Sequence, residues 1–349
     1  MKKLSLIFAL LLAFTLIFTA CSDNTVAESE NVTDNIVDNT ISDEITEETP
    51  VIPEVVNVAA LKGPTGMGLI KFIEDSSAVS EAPYVFDFKL ESAADAITPK
   101  LIKGEIDIAA VPANLASVLY NRTNGGVVVL NINTLGVLYI VENGDTVSSV
   151  EHLRGKTIYA SGQGNTPEYA LNYMLESYGL VPGTDVFIEF KTEHSECLAA
   201  ILGEPNAVAM LPQPFVTSAI MQNENVRIAL DINKEWENAT GKRHVTGVTV
   251  ARKEFVEAHP EAVKAFLDGH KASSEYVNIN VDDAATLMEK HGLFKAAIAK
   301  SAIPYCSISC IYGEEMKSIL SEYLTILSGQ NIKALGGALP ADDFYYIAE

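Results

Sequence analysis

From residue 55 onward, short β-branched apolar runs alternate with stretches of helical period, and most changes of period coincide with Gly or Pro. The run 55–61 reads as a buried strand, Gly63-Pro64-Thr65-Gly66-Met67-Gly68 as a loop, and 69–77 as a helix. A strand over 84–90, a helix over 93–103, a strand over 106–111, a helix opened by Pro112 and a strand over 127–132 follow. The order then repeats. Strand 156–160, the loop Ser161-Gly162-Gln163-Gly164-Asn165-Thr166, a helix over 167–178 opened by Pro167, and strand 186–191 lead to helix 194–202. Strand 207–211, a helix at Pro212-Gln213-Pro214-Phe215 and strand 226–230 complete it. Gly63 to Pro112 is 49 positions and Gly162 to Pro212 is 50, while Gly104-Glu105 and Gly203-Glu204 each close the helix before the matching strand. This pattern predicts two similar α/β lobes, each with a parallel-rich sheet flanked by helices.

After the turn-like Ala239-Thr240-Gly241, the pattern predicts a strand over 244–251 and helices over 260–277, 282–291 and 314–327, with Asp282 and Asp283 capping the second. A helical tail without strands of its own must pack on an earlier lobe. The simplest topology therefore assigns 57–138 with 245–349 to lobe 1 and 139–244 to lobe 2, with hinges near 134–139 and 242–247.

The N-terminal pattern is different. Lys2 and Lys3, an apolar run from Leu4 to Phe18 and Thr19-Ala20 before Cys21 read as a signal peptide over 1–20, and the run is too short to span a bilayer. Residues 22–56 carry ten acidic residues, no Lys or Arg and no periodicity, so 21–56 reads as a disordered tether that begins at Cys21. The chain's 349 residues exceed what one core usually serves, and its apolar content of 48% is that of a globular protein. Its net charge of -22 disfavours a nucleic-acid partner, because phosphate neutralisation requires clustered Lys and Arg. Without Lys2 and Lys3 the charge is -24, of which the tether holds -10 and the folded part -14.

In open α/β sheets, solutes bind beyond the carboxyl ends of strands, where loops lead into helix N-termini with free N–H groups. The candidate ligand-binding residues are Thr65, Gly66 and Met67 in the first such loop, Asn114 in the second and Gly136 at the crossing between lobes. Lobe 2 adds Gln163, Gly164, Asn165 and Thr166, then Pro212, Gln213 and Pro214. Tyr139, Tyr159 and Phe215 are candidate apolar walls. No Arg occupies these loops, which leaves room for a neutral heteroaromatic solute as well as an anion held by helix ends.

The Thr19-Ala20-Cys21 site resembles a bacterial lipobox, with Phe18 where Leu is usual. Together with the tether, Leu153-Arg154-Gly155-Lys156-Thr157-Ile158, Arg252-Lys253-Glu254-Phe255 and His259-Pro260-Glu261-Ala262-Val263, the chain resembles a bacterial ABC-transporter substrate-binding lipoprotein. Within that class it is similar to the nitrate, sulfonate and taurine branch, which also holds thiamine-pyrimidine-precursor binders. The resemblance implies a two-lobed periplasmic-binding-protein-like type II fold with a ligand cleft between lobes. It also implies a monomer lipidated on Cys21, anchored outside the cytoplasm to the cell membrane, that delivers a small solute to an ABC permease. Alternatives are service to a sensor, or an enzyme related to thiamine-pyrimidine synthases. That enzyme's Cys-Cys-Cys-Phe-Cys motif is absent here.

Other chemistries find little in the chain, and no cofactor, metal or catalytic residue is expected. Gly155-Lys156-Thr157 has Val150 where a P-loop needs glycine, and Gly162-Gln163-Gly164 has Pro167 where a dinucleotide fingerprint needs its third glycine. The six histidines show no zinc spacing, and His194 with Glu193, Glu196 and Cys197 reads as a solvated helix face. Cys306 and Cys310 are close enough in sequence for a disulfide, with Cys197 left over.

Overall fold

A computed structural model describes residues 53–77 and 83–347; the leader, Cys21 and nearly all of the acidic stretch lie outside the described residues. Strand β1 (Glu54–Leu61) starts inside the stretch read as tether, because Glu54 pairs with Tyr84 and the side chain of Val56 is fully buried. The remaining strands are β2 (Tyr84–Glu91), β3 (Ile108–Pro112), β4 (Val127–Leu135), β5 (Leu138–Asn143) and β6 (Thr157–Ser161). They continue with β7 (Phe187–Lys191), β8 (Val208–Pro212), β9 (Val226–Asp231), β10 (Val245–Arg252) and β11 (Ile308–Ile311).

These strands form two helix-flanked sheets, ordered β11-β4-β10-β3-β1-β2 and β7-β6-β8-β5-β9. Both are mixed. In the first, β2, β1 and β3 are parallel and β10 runs against β3 and β4; in the second, β7, β6 and β8 are parallel and β5 runs against β8 and β9. Each lobe therefore has the same plan, with one antiparallel strand inserted from the other lobe's stretch of chain. β5 follows lobe 1's β4 but joins the second sheet, and β10 follows lobe 2's β9 but joins the first. The sequence pattern misses β5 because its apolar run, Val137 to Val141, follows strand 127–132 after only Asn133-Thr134-Leu135-Gly136 and reads as the crossing between lobes. It misses β11, a four-residue edge strand, for want of any period.

Several helices also differ from expectation. The span 93–103 divides into a 3-10 turn, Ala94–Ala96, and a helix, Thr98–Ile102, because Pro99 favours the first turn of a new helix. Pro64–Met67 is a helical turn where a loop was expected. Lys253–Ala258 and Ala296–Ala302 are unforeseen helices. So is Ile232–Thr240, where the Asp231 side chain accepts from the backbone N–H of Asn233 and Lys234, and Gly241 at φ 67° ends the helix.

That last helix joins the lobes. Trp236, 1% exposed, leaves the second lobe's sheet to pack in the first lobe's core, with its ring 4.7 Å from Tyr173, 5.3 Å from Tyr323 and 5.2 Å from His244. Beside it, Asn233 bridges the two crossings. Its Nδ2 donates to Leu138 O at 3.3 Å at the start of β5, and its Oδ1 accepts from His244 Nδ1 at 3.2 Å just before β10. Gly136 is the residue that makes room for it: a Cβ there would stand 2.1 Å from Asn233 Oδ1.

Gly136→Ala should thus displace the Asn233 amide and destabilise the fold by about 1–3 kcal/mol. A fall in the urea midpoint at unchanged slope would register it. Trp236→Ala should cost about 3–5 kcal/mol by the same assay, since it leaves a large cavity where the lobes meet.

Candidate functional site

The carboxyl ends of β1, β3, β6 and β8 face one another across the lobes, and each carries a proline: Pro112 and Pro212 end β3 and β8, and Pro64 and Pro167 follow β1 and β6 by three and six residues. All four prolines line an inner cavity of about 110 Å³. All four present a rigid apolar ring, and Pro64 and Pro167 also start a helix without wasting an N–H. Leu61, Val137, Leu138 and Phe215 add apolar wall, while Thr65, Ser92, Thr134, His194, Gln213 and Thr246 are the neutral polar side chains on its lining. An outer space of about 370 Å³ shares Leu61, Ser92, Pro112, Pro167 and His194 with it and carries Gln163, Asn165, Asp95, Lys191 and Glu193. Among the described residues, no Arg lines either space, and the one Lys on the inner lining, Lys62, is exposed.

The expected site residues fall into three groups. Thr65, Pro212 and Gln213 line the inner cavity, and Gln163 and Asn165 line the outer space. Thr65 Oγ1 donates to Leu61 O at 3.2 Å, and Gln213 Oε1 accepts from Thr217 N and Thr217 Oγ1 at 3.2 and 2.8 Å, which leaves the Gln213 amide NH2 to face outward chemistry. Asn114, Gly164 and Thr166 instead join the lobes to each other. Thr166 Oγ1 donates to Asn114 Oδ1 at 3.1 Å, and Asn114 Nδ2 donates to Gly164 O and Ala334 O, both at 3.2 Å.

The third group is not on the cavity lining. Gly66 is packed so that a Cβ would lie 2.6 Å from Leu61 O. Met67 is fully buried in the core, 3.9 Å from the Cys306 sulfur, because the helical turn Pro64–Met67 rotates it away from the cleft. Gly136 backs onto Asn233, and Pro214 caps the helix Phe215–Gln222. Of the aromatic candidates, Phe215 reaches the cavity, with Phe294 edge-on at 5.6 Å. Tyr139 is buried in the second lobe's core, where burial and then Asp231 push its hydroxyl up to about 12. Tyr159 donates to Glu204 at 3.1 Å under Lys191, on the sheet.

His194 corrects the expectation of a solvated face. It lines both spaces, its ring lies 5.3 Å from Phe215, and its Nδ1 meets the Ser161 hydroxyl. Nothing in the local sequence distinguishes it; the register of β6 beside its helix places it there. Thr134, Thr246 and Gly247 are further lining residues the sequence does not single out, since only the pairing of β4 with β10 brings them together. Cys197, Cys306 and Cys310 are free thiols, and burial pushes the Cys310 thiol up to about 12. Among the described residues, no three His, Cys, Asp or Glu gather as metal ligands, and no helix is long and apolar enough to cross a membrane.

Burial holds His194 neutral down to about 4, and His244 and His270 down to about 3. In the unfolded chain all three bind protons as pH falls through about 6.5. The unfolded state then holds more protons than the folded one, so stability should be unaffected above about pH 7 and should fall from about pH 6.5 towards pH 4. Melting temperature against pH checks this, and His194→Gln should remove its share of the slope.

The family model described as "ABC transporter, phosphonate, periplasmic substrate-binding protein" matches residues 70–292. Among solved structures, an ABC transporter protein from Parabacteroides distasonis is 25% identical with a TM-score of 0.71, over 84% of this chain and 99% of that one. The ligand-binding component of an ABC-type import system from Staphylococcus aureus, solved with zinc bound, is 15% identical with a TM-score of 0.67, over 84% and 97%. The periplasmic aliphatic sulphonate-binding protein of Escherichia coli is 16% identical with a TM-score of 0.65, over 85% and 94%. The last two show a shared fold. No curated protein matches the sequence. With more than half of its length matched and the two-lobed type II fold around a proline-lined cleft, the chain belongs to the periplasmic substrate-binding proteins of phosphonate-type ABC transporters.

Proposed function

We propose that this substrate-binding component of an ABC importer captures a small, uncharged heteroaromatic solute, such as an aminopyrimidine, between its lobes and hands it to a membrane permease unchanged. The observation that carries the solute class is the inner lining. Four proline rings, Phe215 and His194 offer flat apolar surface, the remaining polar groups are neutral, and the single Lys is exposed. A planar ring fills such a slot by dispersion and burial, and neutral donors and acceptors orient it. An ionised oxyanion in the same place would lose its hydration without gaining a buried cation.

A second reading has its own observation. The outer space holds Lys191 and the N-terminal turn of the helix Thr166–Ser177, which suit a sulfonate or phosphonate. The family description and the sulphonate-binding relative agree with that class. Service to a sensor remains the alternative partner, and the genes beside this one discriminate it from an importer.

The lobes, divided near 138 and 244, close about the crossings because the closed state touches the solute on both sides. The Asn114–Thr166 contact supports this reading, since it is available only when the lobes meet. The protein works as a monomer held at the extracytoplasmic face of the membrane by a lipid on Cys21, with the acidic stretch as spacer; the lipobox-like Thr19-Ala20-Cys21 supports the anchor. No catalytic role is proposed for Ser161 and His194: burial leaves His194 a weak base.

A thermal-shift screen of aminopyrimidines, taurine, methylphosphonate and nitrate tests the solute class. A ligand at about 100 times its dissociation constant should stabilise the fold by about 2.7 kcal/mol. Stabilisation by the anions alone would replace the neutral reading with the anionic one. Cys21→Ala should move the protein from the membrane fraction to the soluble one, and an unmodified Cys21 in membrane-bound protein would remove the anchor.

A further inference from the structure

β10 and β4 lose register at three places, one of them beside the cavity. Gly247 stands opposite Thr134 but Val248 stands opposite Ile132, so Asn133 is the extra residue of a β-bulge. Bulges re-aim side chains and occur beside functional sites more often than elsewhere. This one lies where β4 leaves its sheet for the other lobe, and Thr134, Thr246 and Gly247 line the inner cavity. Asn133 and Thr134 are each 1% exposed, yet Asn133 Oδ1, Thr134 Oγ1 and Thr246 Oγ1 have no hydrogen-bond partner. Buried polar atoms are nearly always partnered, so three orphans around one glycine need a reason.

Asn133 is held by its Nδ2, which donates to Thr249 Oγ1 at 3.1 Å. That bond directs Oδ1 towards Gly247, where a Cβ would stand 2.6 Å from Oδ1, 2.8 Å from the Thr65 methyl and 3.5 Å from Thr134 Cβ. Oδ1 therefore lies directly behind two lining residues, Gly247 and Thr65, and glycine at 247 keeps the approach to it open. The amide oxygen only accepts, whereas each hydroxyl both donates and accepts.

Resting on the neutral-solute reading above, we infer that this bulge recognises the solute's polar edge, and that the edge pairs an N–H donor with an adjacent acceptor, as in the amidine edge of an aminopyrimidine. A fully ionised sulfonate or phosphonate presents acceptors alone and would face the lone pairs of Asn133 Oδ1. The bulge thus sets specificity, and the prolines and Phe215 supply the surface that any flat solute shares.

The test is calorimetric titration of the full chain with 4-aminopyrimidine, 4-(dimethylamino)pyrimidine and methanesulfonate. The first should bind; the second, which lacks the N–H, should bind at least tenfold more weakly. Asn133→Leu and Thr134→Val should each weaken 4-aminopyrimidine at least tenfold, with Thr246→Val standing in if Asn133→Leu fails to fold. Without solute, Thr134→Val should melt no lower than the parent chain, because its hydroxyl supports nothing in the fold. Normal binding of 4-aminopyrimidine by these variants, or equal affinity for its dimethyl analogue, overturns the recognition point and leaves the solute class standing. A lower melting temperature for Thr134→Val also overturns it. Failure of 4-aminopyrimidine to bind the parent chain overturns the class and the recognition point together.

Discussion

The two crossings between the lobes are tied to each other by one side chain, Asn233, and the positions of the cleft residues follow from that tie. Its amide reaches Leu138 at the first crossing and His244 at the second, in the space that Gly136 leaves open. An amide can do this because it donates and accepts from adjacent atoms, so one group satisfies backbone on one strand and an imidazole on the way to the other. Because β5 and β10 start from these linked points and each runs between two strands of opposite sheets, a shift at the crossing would carry through both.

The cleft is the geometric consequence. Parallel strands on each side deliver their carboxyl ends and following helix starts to the gap, and the inserted antiparallel strands bring Val137, Leu138, Thr246 and Gly247 to its floor. Helix starts in such a gap have free N–H groups and a positive dipole end, which ordinarily favours anions. Here part of that potential is spent internally: Asn114 and Thr166, both in the first turns of facing helices, bond to each other. What remains on the inner lining is ring surface and neutral hydroxyl chemistry, with charged side chains confined to the outer space and the exposed Lys62.

The lobes do not meet only at the cleft. Trp236 belongs to lobe 2 by its place in the chain yet packs against Tyr323 of the C-terminal helix, so part of the interface behaves as a core. That apolar contact is costly to open, whereas the contacts across the cleft are the polar ones of Asn114 with Thr166 and Gly164 and the edge-on pair of Phe215 and Phe294.

Most of the architecture was legible in the linear pattern. The recurrence of Gly63 and Pro112 as Gly162 and Pro212 marked two lobes, and prolines after strands marked the cleft-facing ends, because strand period, helix period and punctuation are local properties of a few neighbouring residues. The mixed pairing of the sheets was not legible, since nothing in β5 or β10 states which sheet it will join. Nor was half of the site. Met67 follows Thr65 by two residues yet is turned into the core, and Thr134 and Thr246 are 112 positions apart and become neighbours only when β4 and β10 pair around a bulge. The sequence by itself determined the elements, the two-lobed plan and the chemistry available at the loops. Tertiary structure alone decided which side chains face the gap, because that depends on strand register, and register is set by contacts between residues far apart in the chain.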